Sequence, residues 1–256
     1  MMARHRGLDW LAQRRGLRRW RHASRDASEM ELETLRTERA EARRLRHHLN
    51  EFICKADDRL ARPVIGSNAF SKPHGTDWAW RPEIWRHRLR VLCVASVLSR
   101  TRLGQELTLF HDCERSELTL RQLRNTREID LSPFGLRMDV FSFDGSFLSL
   151  VLDLPESAVT GLKKSHLIRM DTIIEMEKPL EVFVRLNVRH GPNTEQLVRE
   201  LPLHEEDRMV EFDLAYTRLN EKRIERAWVD IIFENPQMSQ VILRDLTFGR
   251  RPRAEF

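Results

Sequence analysis

Cysteine is scarce in this chain: Cys54, Cys93 and Cys113 are its only three, widely spaced and without a CxxC pair. An odd, scattered set builds neither a disulfide framework nor a zinc site, so three reduced thiols are expected. Long apolar runs are missing as well. The longest, from Val91 to Leu98, is less than half of the roughly 20 residues that a membrane-spanning helix needs. The N-terminus has no apolar core of a secretory signal, because arginines interrupt Leu8, Trp10, Leu11 and Leu17. A cytoplasmic protein is therefore expected, either free or peripheral to the inner membrane. No GxGxxG, GxxxxGK[ST], HExxH or GxSxG occurs, which leaves nucleotide, metal and serine-nucleophile chemistry without local support. His111, Asp112 and Cys113 are adjacent, and His204 to Asp207 form an acidic run. Neighbours on a strand point to opposite faces, however, so neither run supplies convergent ligands. No catalytic residue, metal site or cofactor is expected.

Charge is abundant but unevenly placed. The chain carries a formal +5, a pI of about 9.5 and a mean hydropathy of -0.52. Residues 1–25 hold eight arginines and one acid, net +7, whereas residues 129–256 hold seventeen bases and twenty-two acids, net -5. Basicity thus belongs to the N-terminal leader, and the C-terminal half is a poor candidate for nucleic acid.

The leader, residues 1–27, reads as a disordered basic segment. Arg14, Arg15, Arg18 and Arg19 lie close to Trp10 and Trp20, a set suited to an anionic membrane surface or another polyanion. Residues 28–62 read as one helix of about 50 Å. Ser28 and Glu31 form a capping box at its start, and Arg62-Pro63 stop it. Leu35, Ala42, Leu49 and Ala56 recur every seven residues, which fits either a coiled coil joining two copies or a helix packing back on its own chain. Residues 63–85, with Gly66, Pro73, Gly75 and Pro82, read as a connector whose Trp78, Trp80 and Trp85 pin it onto a core or form a platform for sugar rings.

Residues 86–256 read as strands. In LEVFVRLNVRHG, Leu180, Val182, Val184, Leu186 and Val188 alternate with polar residues and Phe183, the period of a half-buried strand. HLIRMDTIIEM, FLSLVLDLP, MVEFDLAY and AWVDIIFENP repeat the pattern, and in VILRDLTFG the residues Ile242, Leu246 and Phe248 share a face with Arg244. Strands separated by turn signals predict a mainly β fold: an antiparallel β-sandwich of jelly-roll type behind a long N-terminal α-helix.

One polar constellation stands out. Arg185, Asn187 and Arg189 share the face opposite the aliphatic one, followed by His190, Asn193 and Glu195 around Gly191-Pro192, while Arg169 and Asp171 present a similar face one strand earlier. Amide, guanidinium and carboxylate groups fanned over a sheet suit the paired donors and acceptors of sugar hydroxyls, and they equally suit a solvated salt lattice.

The stretches FDGSFLSLVLDLP, LNVRHGPNTEQLVRELP, VEFDLAYTRLNEKRIERAWVDIIFE and ILRDLTFGRRPRAEF resemble an uncharacterised alphaproteobacterial family, a domain of unknown function, from about Asp77 onward. More loosely, the closing strands are similar to galactose-binding-like jelly-roll modules. The resemblance implies a bacterial cytoplasmic setting and a fold, with no activity attached. The resulting expectation is a non-enzymatic protein whose sandwich binds a glycan or a protein partner. The rivals are a sugar hydrolase or transferase using Asp171, Glu175 or Glu195, and a purely structural adaptor held to a membrane surface by its leader. The leader reading predicts that anionic liposomes float the whole chain and fail to float it without residues 1–25. Equal flotation of the two would refute it.

Overall fold

A computed structural model describes residues 3–64, 70, 72–128, 130–203 and 208–253, without the side chains of residues 3–13, 54, 57–59 and 61–64. The chain divides into two compact units, residues 1–53 and 54–256.

The first unit is helical. Helix α1 (Ala3–Asp26) occupies the leader that the composition marks as disordered, and helix α2 (Leu32–Val64) follows after five residues. A connection this short returns the chain antiparallel to itself. Arg19 bridges the pair, donating to Glu38 and Glu41 at 2.7–3.0 Å. Gly16, Trp20 and Ala23 on α1, with Leu35, Glu38 and Ala42 on α2, are half-buried at helical spacing. The order of the leader thus goes with a second helix that sets Glu38 and Glu41 against Arg19, which composition alone does not reveal. The capping box is displaced too: Leu35 N–H donates to the Glu31 carbonyl at 2.8 Å, so Glu31 holds the cap position and Ser28 lies in the preceding turn. Pro63 sits in the last turn of α2 and does not stop it one residue earlier. Farther along α2, Leu45, Leu49, Phe52 and Ile53 remain exposed.

The second unit is the sandwich. Its elements are β1 (Trp78–Trp80), α3 (Glu83–Arg86), β2 (Cys93–Ala95), β3 (Thr101–Leu103), β4 (Leu107–His111), β5 (Leu118–Arg124), β6 (Phe134–Val140), β7 (Leu148–Asp153), α4 (Glu156–Val159), β8 (His166–Met176), β9 (Val182–His190), β10 (Asn193–Glu200), β11 (Met209–Asp213), β12 (Ile224–Phe233) and β13 (Ser239–Pro252). One sheet runs β11-β8-β13-β6-β5-β2, with β1 added to β13, and the other runs β10-β9-β12-β7-β4-β3. The pairings are antiparallel throughout the described residues. The alternation explains the layers. Val182, Val184, Leu186 and Val188 are fully buried, as are Leu148, Leu150 and Leu152 beside them and Ile168, Met170 and Ile174 opposite. Each such side chain contributes about 1.5–3 kcal/mol of burial.

The longest strand departs from simple alternation. In β13, Leu243 pairs with Ile174 and Asp245 with Ile173, so Arg244 is an extra residue and the strand carries a β-bulge. The bulge moves Ile242 to the outer face and puts Val241 and Leu243 in the core with Leu246 and Phe248, correcting the single face expected for Ile242, Leu246 and Phe248. The strand also continues past Gly249, because β1 and β8 pair with it on either side. The bulged carbonyls find side-chain donors: Trp85 Nε1 reaches the Leu243 carbonyl at 3.0 Å and Asn125 Nδ2 the Arg244 carbonyl at 2.9 Å. Gly135 must be glycine here, since a Cβ would stand 2.9 Å from the Leu243 oxygen.

The sheet begins inside the connector. Trp80 packs on Phe248 with ring centres 5.7 Å apart, Trp78 Nε1 donates to Ser157 Oγ at 3.0 Å, and Trp85 is fully buried. The three tryptophans pin the connector to the core. Beside them, Arg81 meets Asp245 in a two-pronged ion pair at 2.7 and 2.9 Å, with side chains 1% and 7% exposed. Burial pushes the Asp245 carboxyl up, and Arg81 opposes it. Asp245→Ala is expected to cost about 3–5 kcal/mol in denaturant unfolding, because it removes the carboxylate that neutralises a buried guanidinium. Replacing both partners, Arg81→Met with Asp245→Leu, should recover most of that loss. A double variant as unstable as the single one would contradict the ion-pair account.

Candidate functional site

The sandwich offers two outer sheet faces, and they differ in kind. On the face formed by β11, β8, β13 and β6, acids and arginines neutralise one another. Arg169 pairs with Asp171 at 2.5 Å, Arg251 with Glu211 at 3.0 Å, Arg137 with Asp139 at 2.8 Å and Arg244 with Glu175 at 3.0 Å, and Arg127 reaches both Asp130 and Glu175. Burial pushes the Asp139 carboxyl upward, but Arg137 and Thr119 hold it below the ordinary carboxylate range. This is a salt lattice, worth little per pair on an open face.

The outer face of β10, β9, β12 and β7 is built differently. Outward side chains on β9 are Phe183, Arg185, Asn187 and Arg189, and their neighbours on β12 are Ile232, Asp230, Trp228 and Arg226 in the same rows. Asn187 and Asp230 point away from the core yet are only 1% and 3% exposed. Outward residues this deeply covered mean that the face is recessed at that point. Asp230 accepts from Arg185 at 2.7 Å and from Asn187 Nδ2 at 3.1 Å, and the Asn187 oxygen accepts from Gln196 of β10 at 3.1 Å. Trp228 is half-buried beside them, with the exposed Arg226 guanidinium 4.7 Å from its ring centre. Two rows away on β7, the Ser149 hydroxyl is buried and has no hydrogen-bond partner among the described residues. The arrangement is a polar floor of Asn187 and Asp230 rimmed by an indole, an amide and a guanidinium, with the unsatisfied Ser149 hydroxyl farther along the face, next to Ile232.

The predicted site residues therefore divide into three groups. Arg185, Asn187 and Arg189 lie together on the recessed face, with Arg189 also held by Glu225 at 3.1 Å. Arg169 and Asp171 belong to the opposite sheet, so they cannot share a ligand with them. His190, Asn193 and Glu195 take the inward register at the β9–β10 hairpin, which turns through Gly191 at a φ of 62°. His190 is 5% exposed, and its Nε2 lies 3.6 Å from Glu195. Register parity explains the separation: β9 alternates, so a residue one step from the outer face belongs to the core side. Asp171, Glu175 and Glu195, the acids of the hydrolase reading, are divided between the two sheets in the same way, and Asp171 and Glu175 are each tied to arginine.

Trp228, Asp230, Gln196 and Ser149 were not among the sequence candidates. The alternation in AWVDIIF, which buries Val229, Ile231 and Phe233, already sends Trp228 and Asp230 outward. What it lacks is the pairing of β12 with β9. At the end of β4, Asp112 accepts from the Ser146 hydroxyl at 2.6 Å and from two backbone amides, and Cys113 N–H donates to His111 Nδ1 at 3.1 Å, so that run clips a loop. No group of three metal-ligating side chains occurs among the described residues, and His204 to Asp207 lie outside them. Of the leader set, Arg19 is engaged by α2 and lies 4.9 Å over Trp20, Arg14, Arg15 and Arg18 are exposed, and the Trp10 side chain lies outside the described residues. No described helix is long and apolar enough to cross a membrane.

Comparison with known proteins gives a family and distant shapes. Residues 1–256 match a family described as "Family of unknown function (DUF6478)". Among curated proteins, none matches the chain. Among solved structures, the chain is similar to the family 11 carbohydrate-binding module from Clostridium thermocellum, solved with a mixed-linked tetrasaccharide, at TM-score 0.38 and 12% identity over 62% of this chain and 96% of that one. It is similar to the CBM22-1 xylan-binding domain of Paenibacillus barcinonensis Xyn10C at TM-score 0.36 and 10% identity, over 64% and 95%. Tailspike protein 4 of bacteriophage CBA120 gives TM-score 0.39 and 6% identity over 56% of this chain, which spans only 19% of the tailspike chain.

The shared network predicts coupling. Asp230→Ala is expected to lower stability by about 1–3 kcal/mol, since Asn187 loses its side-chain acceptor and keeps only the longer bonds to the Arg185 and Trp228 carbonyls, while Arg185 can turn to solvent. With Asn187→Ala added, the combined loss should fall short of additivity by about 0.5 kcal/mol or more in a double-mutant cycle. Strict additivity would show that the two side chains do not act together.

Proposed function

The chain belongs to the family of unknown function (DUF6478), which brings no activity with it, and we propose that it is a non-enzymatic binding protein whose sandwich takes a glycan on the recessed face of β10, β9, β12 and β7. One observation carries the reading: Asn187 and Asp230 form a buried polar floor on an outward strand face, and farther along that face the Ser149 hydroxyl, next to Ile232, lacks a partner. Sugar hydroxyls both donate and accept, so they match a floor of this kind, and the C–H face of a sugar ring matches the Trp228 indole. In this reading Arg185, Gln196 and Trp228 touch the ligand, the exposed Arg226 guanidinium gives way over the indole, and Asn187 and Asp230 hold the contact groups in place. No observation favours the hydrolase rival. The second sheet face, with its arginines and acids mutually paired, serves solubility.

The helical unit has a separate role in the proposal. The exposed Arg14, Arg15 and Arg18 on α1 form the contact to an anionic surface, and the exposed Leu45, Leu49 and Phe52 on α2 are the seam for a second copy. Peripheral membrane contact and dimerisation are thus assigned to α1 and α2, and ligand binding to the sandwich.

A glycan array probed with the full chain tests the sandwich reading. Binding to at least one glycan is expected, and Trp228→Ala should weaken it by about tenfold or more with the melting temperature nearly unchanged, while Arg185→Ala should weaken it similarly and also lower the melting temperature, because it leaves the buried Asp230 carboxylate without its guanidinium. An array without hits, or variants that bind as well as the parent, would overturn the reading; in the first case a protein partner becomes the occupant to seek.

A further inference from the structure

A cavity lies away from the recessed face, at the edge of the other sheet. It encloses about 210 Å³ and is lined by Leu92, Leu123 and Phe134, with Gln122 at its back and Arg88 and Arg124 among its walls. The back wall is fixed. The Gln122 side chain accepts from the Leu89 amide at 2.8 Å and donates to the Ile84 and His87 carbonyls at 2.7 Å each, and its own amide donates to the Leu92 carbonyl at 2.8 Å. These bonds tie the segment between α3 and β2 across the cavity and use all of the amide's polar atoms. Nothing at the back of the cavity is left to recognise a polar group, and Phe134, 5% exposed, adds an apolar surface.

Polar recognition must therefore come from the arginines. Arg124 stands opposite Phe134 in the β5–β6 ladder, is exposed, and its guanidinium has no ion pair or hydrogen bond among the described residues. An apolar chamber with an available guanidinium in its wall selects for an anion attached to an apolar body. A guanidinium binds carboxylate through parallel charge-assisted hydrogen bonds. Size narrows the class further. An apolar cavity of roughly 150 Å³ holds one benzene ring, and drug-sized pockets begin at roughly 300 Å³. The volume here falls between the two.

We propose that this cavity binds a small organic monocarboxylate with a ring-sized apolar body, the body against Phe134, Leu92 and Leu123 and the carboxylate on Arg124. The site is independent of the glycan face, so either can fail without the other. Benzoate is the probe, with benzyl alcohol as the neutral counterpart of similar shape and acetate as the charge without the ring, each titrated into the full chain by ligand-observed NMR. Benzoate is expected to bind at least about tenfold more tightly than benzyl alcohol or acetate. Arg124→Gln, at an exposed position, should weaken benzoate by about the same factor while leaving benzyl alcohol binding and the melting temperature unchanged. No benzoate binding up to about 10 mM, equal binding of the three probes, or an Arg124→Gln variant that binds benzoate as the parent does, would each overturn the proposal.

Discussion

The bulge at Arg244 is the constraint on which most of the sandwich depends. β13 has to serve β6 through its first half and β1 through its second, with β8 along nearly its whole length. One inserted residue changes which side chains face the core, and the ladder it interrupts leaves two carbonyls to be met by side chains. Trp85 and Asn125 answer those carbonyls, Gly135 leaves room for the displaced backbone, and Asp245 emerges where only a buried arginine can meet it. Arg81 brings the connector with it. The contacts of Arg81 and Trp85 with the sheet thus go with a single register shift, while Trp78 and Trp80 are held by the pairing of β1 with β13 beyond it.

That attachment also sets apart the roles of the two faces. The sheet containing β13 has its outer surface occupied by the connector and by paired charges, which leaves little for a ligand to exchange. The sheet containing β9 carries fewer charges outward and sinks its polar groups beneath Trp228, Arg185 and Gln196. Desolvated polar groups cost free energy unless bonded, and the network around Asp230 bonds Arg185, Asn187 and Gln196 together.

Much of this was legible in the sequence where side-chain period decides structure. The cores of β7, β8, β9, β11 and β12 follow from alternation alone, because one face of each is buried. β5 did not announce itself: its inward Gln122 breaks the pattern, and only the carbonyls of Ile84 and His87 make a polar residue acceptable there. The parity of β13 was misread for a related reason, since a bulge is invisible to a periodic count. At the candidate site, Arg185, Asn187 and Arg189 were found because they share one strand. Asp230 and Gln196, their partners, come from strands some forty residues later and nine residues later in the chain, and Arg169 and Asp171 looked equivalent until topology put them in the other sheet. The leader was misjudged because its order depends on Glu38 and Glu41 of another helix. Local chemistry was readable, whereas pairing was not.

The claim at the centre of the account is that ligand meets the protein on β9, β10 and β12. Amide chemical-shift mapping of the full chain, saturated with the strongest glycan from the array, measures this directly. The largest shifts are expected at Arg185, Asn187, Gln196 and Trp228, with the β8 and β11 face silent. Shifts concentrated on Arg169, Asp171 and Glu211 instead would contradict the account.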